Sequence, residues 1–203
     1  MIYGYSDRIA HALAFVAKHG RQPVRLGGEG TAWPVEPGNV ALILARHGAD
    51  EATIVGGVLV SLLNDASPTL RPGLVEKIEQ KFGALVLGIL EQAAEQRYDA
   101  RGKPRAWEVC RLDFLAGLAQ ADTRALEVAA AREIYVCGSM LTDARRLGAE
   151  YLSGYAPGGA PALLRWFGEV VETMERHPVG PRPSMLTELR NLATRLSEVI
   201  EAE

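Results

Sequence analysis

Residues 56–70 read GGVLVSLLNDASPTL. Two glycines lead into an apolar stretch, Val58 to Leu63, broken only by Ser61. The polar pair Asn64-Asp65 and then Pro68 end it. Together with the residues from Asp50 onward, this is long enough for a helix of about four turns. A helix that is apolar nearly all round belongs in the interior of a fold, with other elements packed on every side. Pro68 and the small polar residues around it mark a turn.

Working outward, nearly every other segment has helical spacing, and no run alternates with period two. Ser6 is placed to cap a helix with Ile9, Leu13 and Val16 on its apolar face, ending near His19-Gly20. The stretch GRQPVRLGGEGTAWPVEPG (residues 20–38) is rich in Gly and Pro and reads as a long loop, a feature often tied to function. Pro37 suits the first turn of a second helix carrying Val40, Ile43 and Leu44 and stopped by His47-Gly48. The third helix runs from about Asp50 to Asp65. Thr69–Phe82 and Ala84–Gln96 give two more, parted at Gly83. The basic connection RYDARGKPR leads to a helix over Trp107–Gln120. Asp122 or Thr123 caps a long one reaching Leu147-Gly148. After SGYAPGGAP come helices over Pro161–Glu175 and Ser184–Glu201. The expectation is one all-α domain of about nine helices spanning residues 1–203.

Bulk properties narrow the function classes. The formal net charge is −3 over 203 residues, so the backbone of a nucleic acid is excluded as the main partner. Apolar runs are broken well short of the ~18 residues a membrane span needs. The start, MIYGYSDRIAHALAF, has no basic segment followed by a continuous apolar core, so no secretory signal is expected. Cys110 and Cys137 lie in separate helices with no CxxC or Cys/His grouping. Two buried thiols in a reduced, cytoplasmic protein are therefore expected.

Taken in order, the segments resemble the HD-domain (p)ppGpp hydrolases. A helix ending in His19 is followed by Gln22 and Arg25. GTAWPVEPGNVALIL is similar to the family's G-x-P-Y-x-x-H-P-x-x-V-A-x-x-L, keeping Gly30, an aromatic residue as Trp33, Pro37, Val40 and Ala41. GVLVSLLNDA stands where the family has A-L-L-H-D-V-V-E-D-T, and Phe82-Gly83 matches its F-G. WEVCRLDFLAGL resembles W-x-x-R-K-x-x-Y-L-x-x-L, AAREIYV resembles A-A-D-K-L-x-N, and LLRWFGEVVETM resembles the aromatic closing helix. The resemblance covers almost the whole chain and implies an HD-domain-like helical bundle.

It also implies where a divalent ion, usually manganese, would be held. The family uses His and Asp side chains, including a His-Asp pair on one helix and a distant Asp. Imidazole and carboxylate donors of this kind suit such an ion, which activates water and polarises phosphate. In this chain the positions are His19, Glu36, Val60, Ser61 and Arg132, and only the first two keep a strong donor. Val60 has none, and Arg132 is a permanent cation. One expectation is that the Arg132 guanidinium stands in for the ion, paired with Glu36 and Ser61; the other is that Arg132 points to solvent. The catalytic positions are degenerate too. Asn64 replaces the family's Glu and cannot act as a general base. Asp65 remains, either as an acid or as a helix-end residue, and Val136 replaces an Asn.

Arg25, Trp33 and Arg111 are candidates to frame a pocket for a base or phosphate, since guanidinium groups stack and donate paired hydrogen bonds. The alternative is that Trp33 packs its loop and the arginines are solvated. His11, His47 and His177 are expected to be structural or exposed. These features point to a catalytically inactive HD-domain protein with a binding or regulatory role toward a guanosine nucleotide or a protein partner, needing no cofactor. Two alternatives stand. One is a manganese-dependent (p)ppGpp or nucleotide pyrophosphohydrolase with a site rebuilt from His19, Glu36 and Asp65. The other is an interaction or antitoxin-like subunit.

Overall fold

The buried helix of the opening stretch lies at the centre of the structure. It is α3, Glu51–Asn64, and every residue from Ala52 to Asn64 is buried. The computed structural model describes residues 5–20 and 35–202. Among them are nine α-helices and one 3-10 turn: α1 (Asp7–His19), α2 (Val35–Arg46), α3, α4 (Arg71–Phe82), α5 (Ala84–Ala93), α6 (Trp107–Leu118), α7 (Thr123–Leu147), the turn Ala149–Gly154, α8 (Gly159–Arg176) and α9 (Pro183–Glu201). No strand is present among the described residues, and an isolated bridge pairs Tyr98 with Pro104. The fold is all-α.

Local chemistry explains the boundaries. Ser6, Asp50 and Asp122 cap α1, α3 and α7, each accepting a hydrogen bond from the amide three residues on. Such caps satisfy amides that a helix start leaves unpaired. Glycines at positive φ, Gly83 and Gly148, end α4 and α7. Around α3 pack α1, α2, α5 and α7, and α9 covers the other side of α7. Close approach depends on the Gly56-Gly57 pair. A Cβ at Gly57 would lie 2.3 Å from Leu44 Cδ1, and one at Gly56 would lie 2.9 Å from Ile89 Cγ2. One glycine thus admits α2 and its neighbour admits α5. The buried apolar side chains form a contiguous cluster.

Several boundaries differ from the sequence expectation, among them the end of α6 at Leu118 and the start of α8 at Gly159. The predicted loop over residues 20–38 gives up its last four residues, which form the first turn of α2. Helix α4 starts at Arg71 rather than Thr69. Helix α5 stops at Ala93, not Gln96, because the Asn64 side chain captures the Glu95 amide at 2.7 Å and turns the chain aside. In addition, the SGYAPGGAP break overlaps a 3-10 turn that buries Leu152. No helix among the described residues is long and apolar enough to cross a membrane, and both cysteines are free and buried.

Candidate functional site

The site is built where α2, α3, α6, α7 and α8 meet. Arg132, on the third turn of α7, is buried at 8% exposure, so the solvent-facing alternative for it is overturned. Its Nη1 lies 2.9 Å from Glu133 Oε1, and its Nε lies 3.4 Å from Glu36 Oε1 in the first turn of α2. The Glu36 contact is ionic rather than a hydrogen bond, because the Nε–H finds no aligned acceptor. Burial by itself works to lower the Arg132 pKa, but the carboxylates of Glu36, Glu133 and Glu95 outweigh it and raise it further. The cation is fixed in place.

Glu133 in turn accepts a 2.8 Å hydrogen bond from the Trp166 indole of α8. A second cluster adjoins it. Glu95, 3% exposed, pairs with Arg97 at 3.0 Å and with Arg111 at 3.3 Å. Burial pushes the Glu95 carboxyl up, yet Arg111, Arg97 and Arg132 hold it below its ordinary value. Arg97 also reaches Asp65 at 2.8 Å. The Arg111 guanidinium lies over the Trp166 ring at 4.3 Å and the Trp107 ring at 5.2 Å, in cation–π contact with both. Burial draws its pKa below the usual arginine value, against the pull of Glu133 and Glu95.

The sequence-selected positions fall into two groups. His19, Ser61 and Asp65 line a cavity of about 280 Å³ between α1, α3 and α4. Glu36, Arg111, Arg132 and Val136 line another of about 220 Å³, closed by Trp166 and Phe167 of α8. Ser61 is not a partner of Arg132 as expected, because its buried hydroxyl has no hydrogen-bond partner among the described residues. Val60 is 1% exposed and sits in the core. Asn64 is buried and spends its side-chain oxygen on the Glu95 amide. Asp65 is the C-cap residue of α3. His19 packs on the Phe15 ring, centroids 4.4 Å apart. Its pKa is lowered, first by burial and then by Lys77, Lys18 and Lys81. Arg25, Trp33 and Gln22 lie outside the described residues.

The remaining histidines are accounted for. His11 is exposed. His47 bridges α2 to α9, with Nδ1 2.8 Å from Ser184 Oγ and Nε2 2.7 Å from Glu188 Oε2. His177 Nδ1 accepts from the Val179 and Gly180 amides and so caps a turn.

Comparison with known proteins bears on the fold. No family model matches the chain, and no curated protein does. Solved structures do match. The crystal structure of lmo0812 from Listeria monocytogenes EGD-e has a TM-score of 0.63 at 19% identity, covering 82% of this chain and 99% of that one. A metazoan ortholog of SpoT, which hydrolyzes ppGpp and plays a role in starvation responses, has a TM-score of 0.66 at 18% identity. That match covers 99% of this chain and 98% of that one. The chain has an HD-domain (p)ppGpp-hydrolase-like fold.

An HD-type metal site does not fit the residues this HD-like fold presents. Among the described residues, no group of three or more His, Cys, Asp or Glu side chains is arranged to hold an ion. The remaining donors, His19 and Glu36, line different cavities, and a permanent cation is bound to Glu36. The sequence reading missed Glu95, Arg97, Glu133 and Trp166. One signal was present for Glu133. Where the family motif has D-K, this chain has Arg132-Glu133, the same pair with its signs exchanged. Nothing local to Glu95 or Arg97 marked them.

Proposed function

We propose that this chain is a catalytically inactive HD-domain protein with a binding or regulatory role, acting as a sensor of a nucleotide or nucleotide fragment rather than as a hydrolase. The observation that carries this reading is the Arg132 guanidinium, buried between Glu36 and Glu133. A divalent ion brought to Glu36 would meet a fixed positive charge, and Coulomb repulsion between such neighbours is worth several kcal/mol even at an effective dielectric of ~20. The chemistry expected of the fold needs a metal-activated water, and among the described residues neither a grouped set of ligands nor an unpaired base at Asn64 or Asp65 supports it. Asn64 is an amide, and the Asp65 carboxylate is held by Arg97.

The apolar packing pattern resembles that of the hydrolase-like helices, while the positions expected to bind an ion hold Val60, Ser61 and an Arg132 that is ion-paired with Glu36. That combination supports retention of the fold for recognition. The test is incubation of the purified chain with ppGpp and excess manganese, followed by separation of the nucleotides. The expected outcome is no release of pyrophosphate beyond the protein-free rate. Manganese-dependent turnover that is lost in Glu36→Gln would establish a rebuilt hydrolase instead.

A further inference from the structure

Buried hydrogen-bond donors are almost always satisfied, and each exception calls for an explanation such as an absent ligand. Three occur together here. Arg111 Nε, Arg111 Nη1 and Arg132 Nε are all buried without an aligned acceptor among the described residues, the last two within ionic range of Glu95 and Glu36, and both residues line the cavity between α2, α6, α7 and α8. The guanidinium groups cannot turn to meet an acceptor freely. Arg111 is held by Trp107 and Trp166, and Arg132 by Glu133.

The charge count decides the class of molecule that would satisfy them. Among the described residues, Arg97, Arg111 and Arg132 are joined to Glu36, Asp65, Glu95 and Glu133, three cations against four carboxylates. An incoming anion would enter a field that is already negative by one charge. A neutral acceptor meets the donors without that cost. The walls decide shape, because Tyr135, Tyr155, Trp166 and Phe167 favour a flat ring. At about 220 Å³ the cavity falls below the ~300–1,000 Å³ of sites for drug-sized ligands, so the occupant is small.

We propose that this cavity binds a small, neutral oxo-heterocycle, a ring carbonyl beside a ring nitrogen, whose acceptor edge takes the unaligned donors of Arg111 and Arg132. The proposal rests on the reading of the chain as a binding protein and assigns the chemistry of the occupant. It separates a ring from a phosphate as the group recognised in this cavity.

The test is calorimetric titration, in the presence of a chelator, with hypoxanthine and uracil as neutral rings. Orotate serves as the carboxylate-bearing counterpart, with inorganic phosphate as the simple anion. Inosine 5′-monophosphate asks whether the ring is carried on a phosphorylated ribose. The expected result is one-to-one binding of a neutral ring, with orotate and phosphate at least about tenfold weaker. Arg111→Lys keeps the charge but loses the donor fork, and should weaken binding about tenfold or more. Val136→Phe, which fills the cavity from its partly exposed wall, should abolish binding while thermal melting verifies the fold. Failure of every neutral ring to bind at millimolar concentration would overturn the proposal. So would tighter binding of orotate or phosphate, or unchanged binding by Arg111→Lys. Any of these alongside absent ppGpp turnover removes this inference alone. Manganese-dependent turnover removes the reading beneath it.

Discussion

Arg132 Nε lies 3.4 Å from Glu36 Oε1, so two positions that carry metal ligands in the HD-type template are here joined as an ion pair. The same guanidinium is bound to Glu133 at 2.9 Å. A guanidinium is a diffuse single charge with five donors, and it neutralises carboxylates without lowering the pKa of any water. The pair cross-links α2 to α7.

Removal of Arg132 is expected to be costly for a specific reason. Arg132→Met would leave Glu133, whose side chain is 1% exposed, as an uncompensated buried charge. Breaking a buried pair in this way costs about 3–5 kcal/mol. Adding Glu133→Gln should recover part of the loss, although the amide must still satisfy the Trp166 indole. Urea denaturation of the single and double variants gives both numbers. Equal losses in the two would show that packing, not charge, dominates.

Ser61 offers the opposite prediction. Its hydroxyl is buried and has no partner among the described residues, and an unmet buried polar group costs about 1–3 kcal/mol. Ser61→Ala should therefore stabilise the protein, by about 1 kcal/mol, seen as a higher denaturation midpoint at unchanged slope. A destabilised variant would mean that the hydroxyl has a partner in solution.

Gly57 carries the contact between α2 and α3. A branched side chain there meets Leu44 Cδ1 at 2.3 Å and Val40 Cγ1 at 3.0 Å. Gly57→Val should cost about 1–3 kcal/mol through overpacking, and thermal melting measures it. Gly88→Ala makes a useful control, because a Cβ there meets nothing within 4 Å.

Two titrations have a definite sign. Glu95 is held below its ordinary value of 4.5, so between its folded pKa and 4.5 the unfolded chain binds more protons. Stability from Glu95 is complete above 4.5 and is lost as the pH falls through the folded value. Glu95→Gln should flatten that part of the stability–pH curve. His19 is also lowered, from 6.5, by burial first and then by Lys77, Lys18 and Lys81. Stability accordingly rises with pH from the folded His19 pKa up to 6.5. Proton NMR should place the His19 midpoint below 6.5, and Lys77→Gln should move it back up.

Much of the helical framework was legible because it rests on local signals. The apolar periodicity of α1 and α8, the caps at Ser6, Asp50 and Asp122, and the glycine stops at Gly83 and Gly148 all act within a turn or two. The end of α5 was not legible. Helix α5 stops early because Asn64, some thirty residues before, holds the Glu95 amide, and no local propensity reveals that. The site shows the same division. That Val60 and Arg132 offer no donor to a metal ion could be read from residue type alone. The charge network could not, since Glu95, Arg97, Arg111 and Glu133 come from separate segments and meet only after packing. Ser61 shows the limit most plainly. A hydroxyl next to a vanished ion suggested a new partner, but the Arg132 guanidinium is instead taken up by Glu133 and Glu36.

The most direct measurement is a calorimetric titration of the chelator-treated protein with manganese. With Arg132 bound to Glu36, and with His19 lining a different cavity, the account predicts no heat of binding up to millimolar metal. Stoichiometric, tight binding that disappears in His19→Ala and Glu36→Gln would contradict it, and would place a working metal centre where the structure puts an arginine.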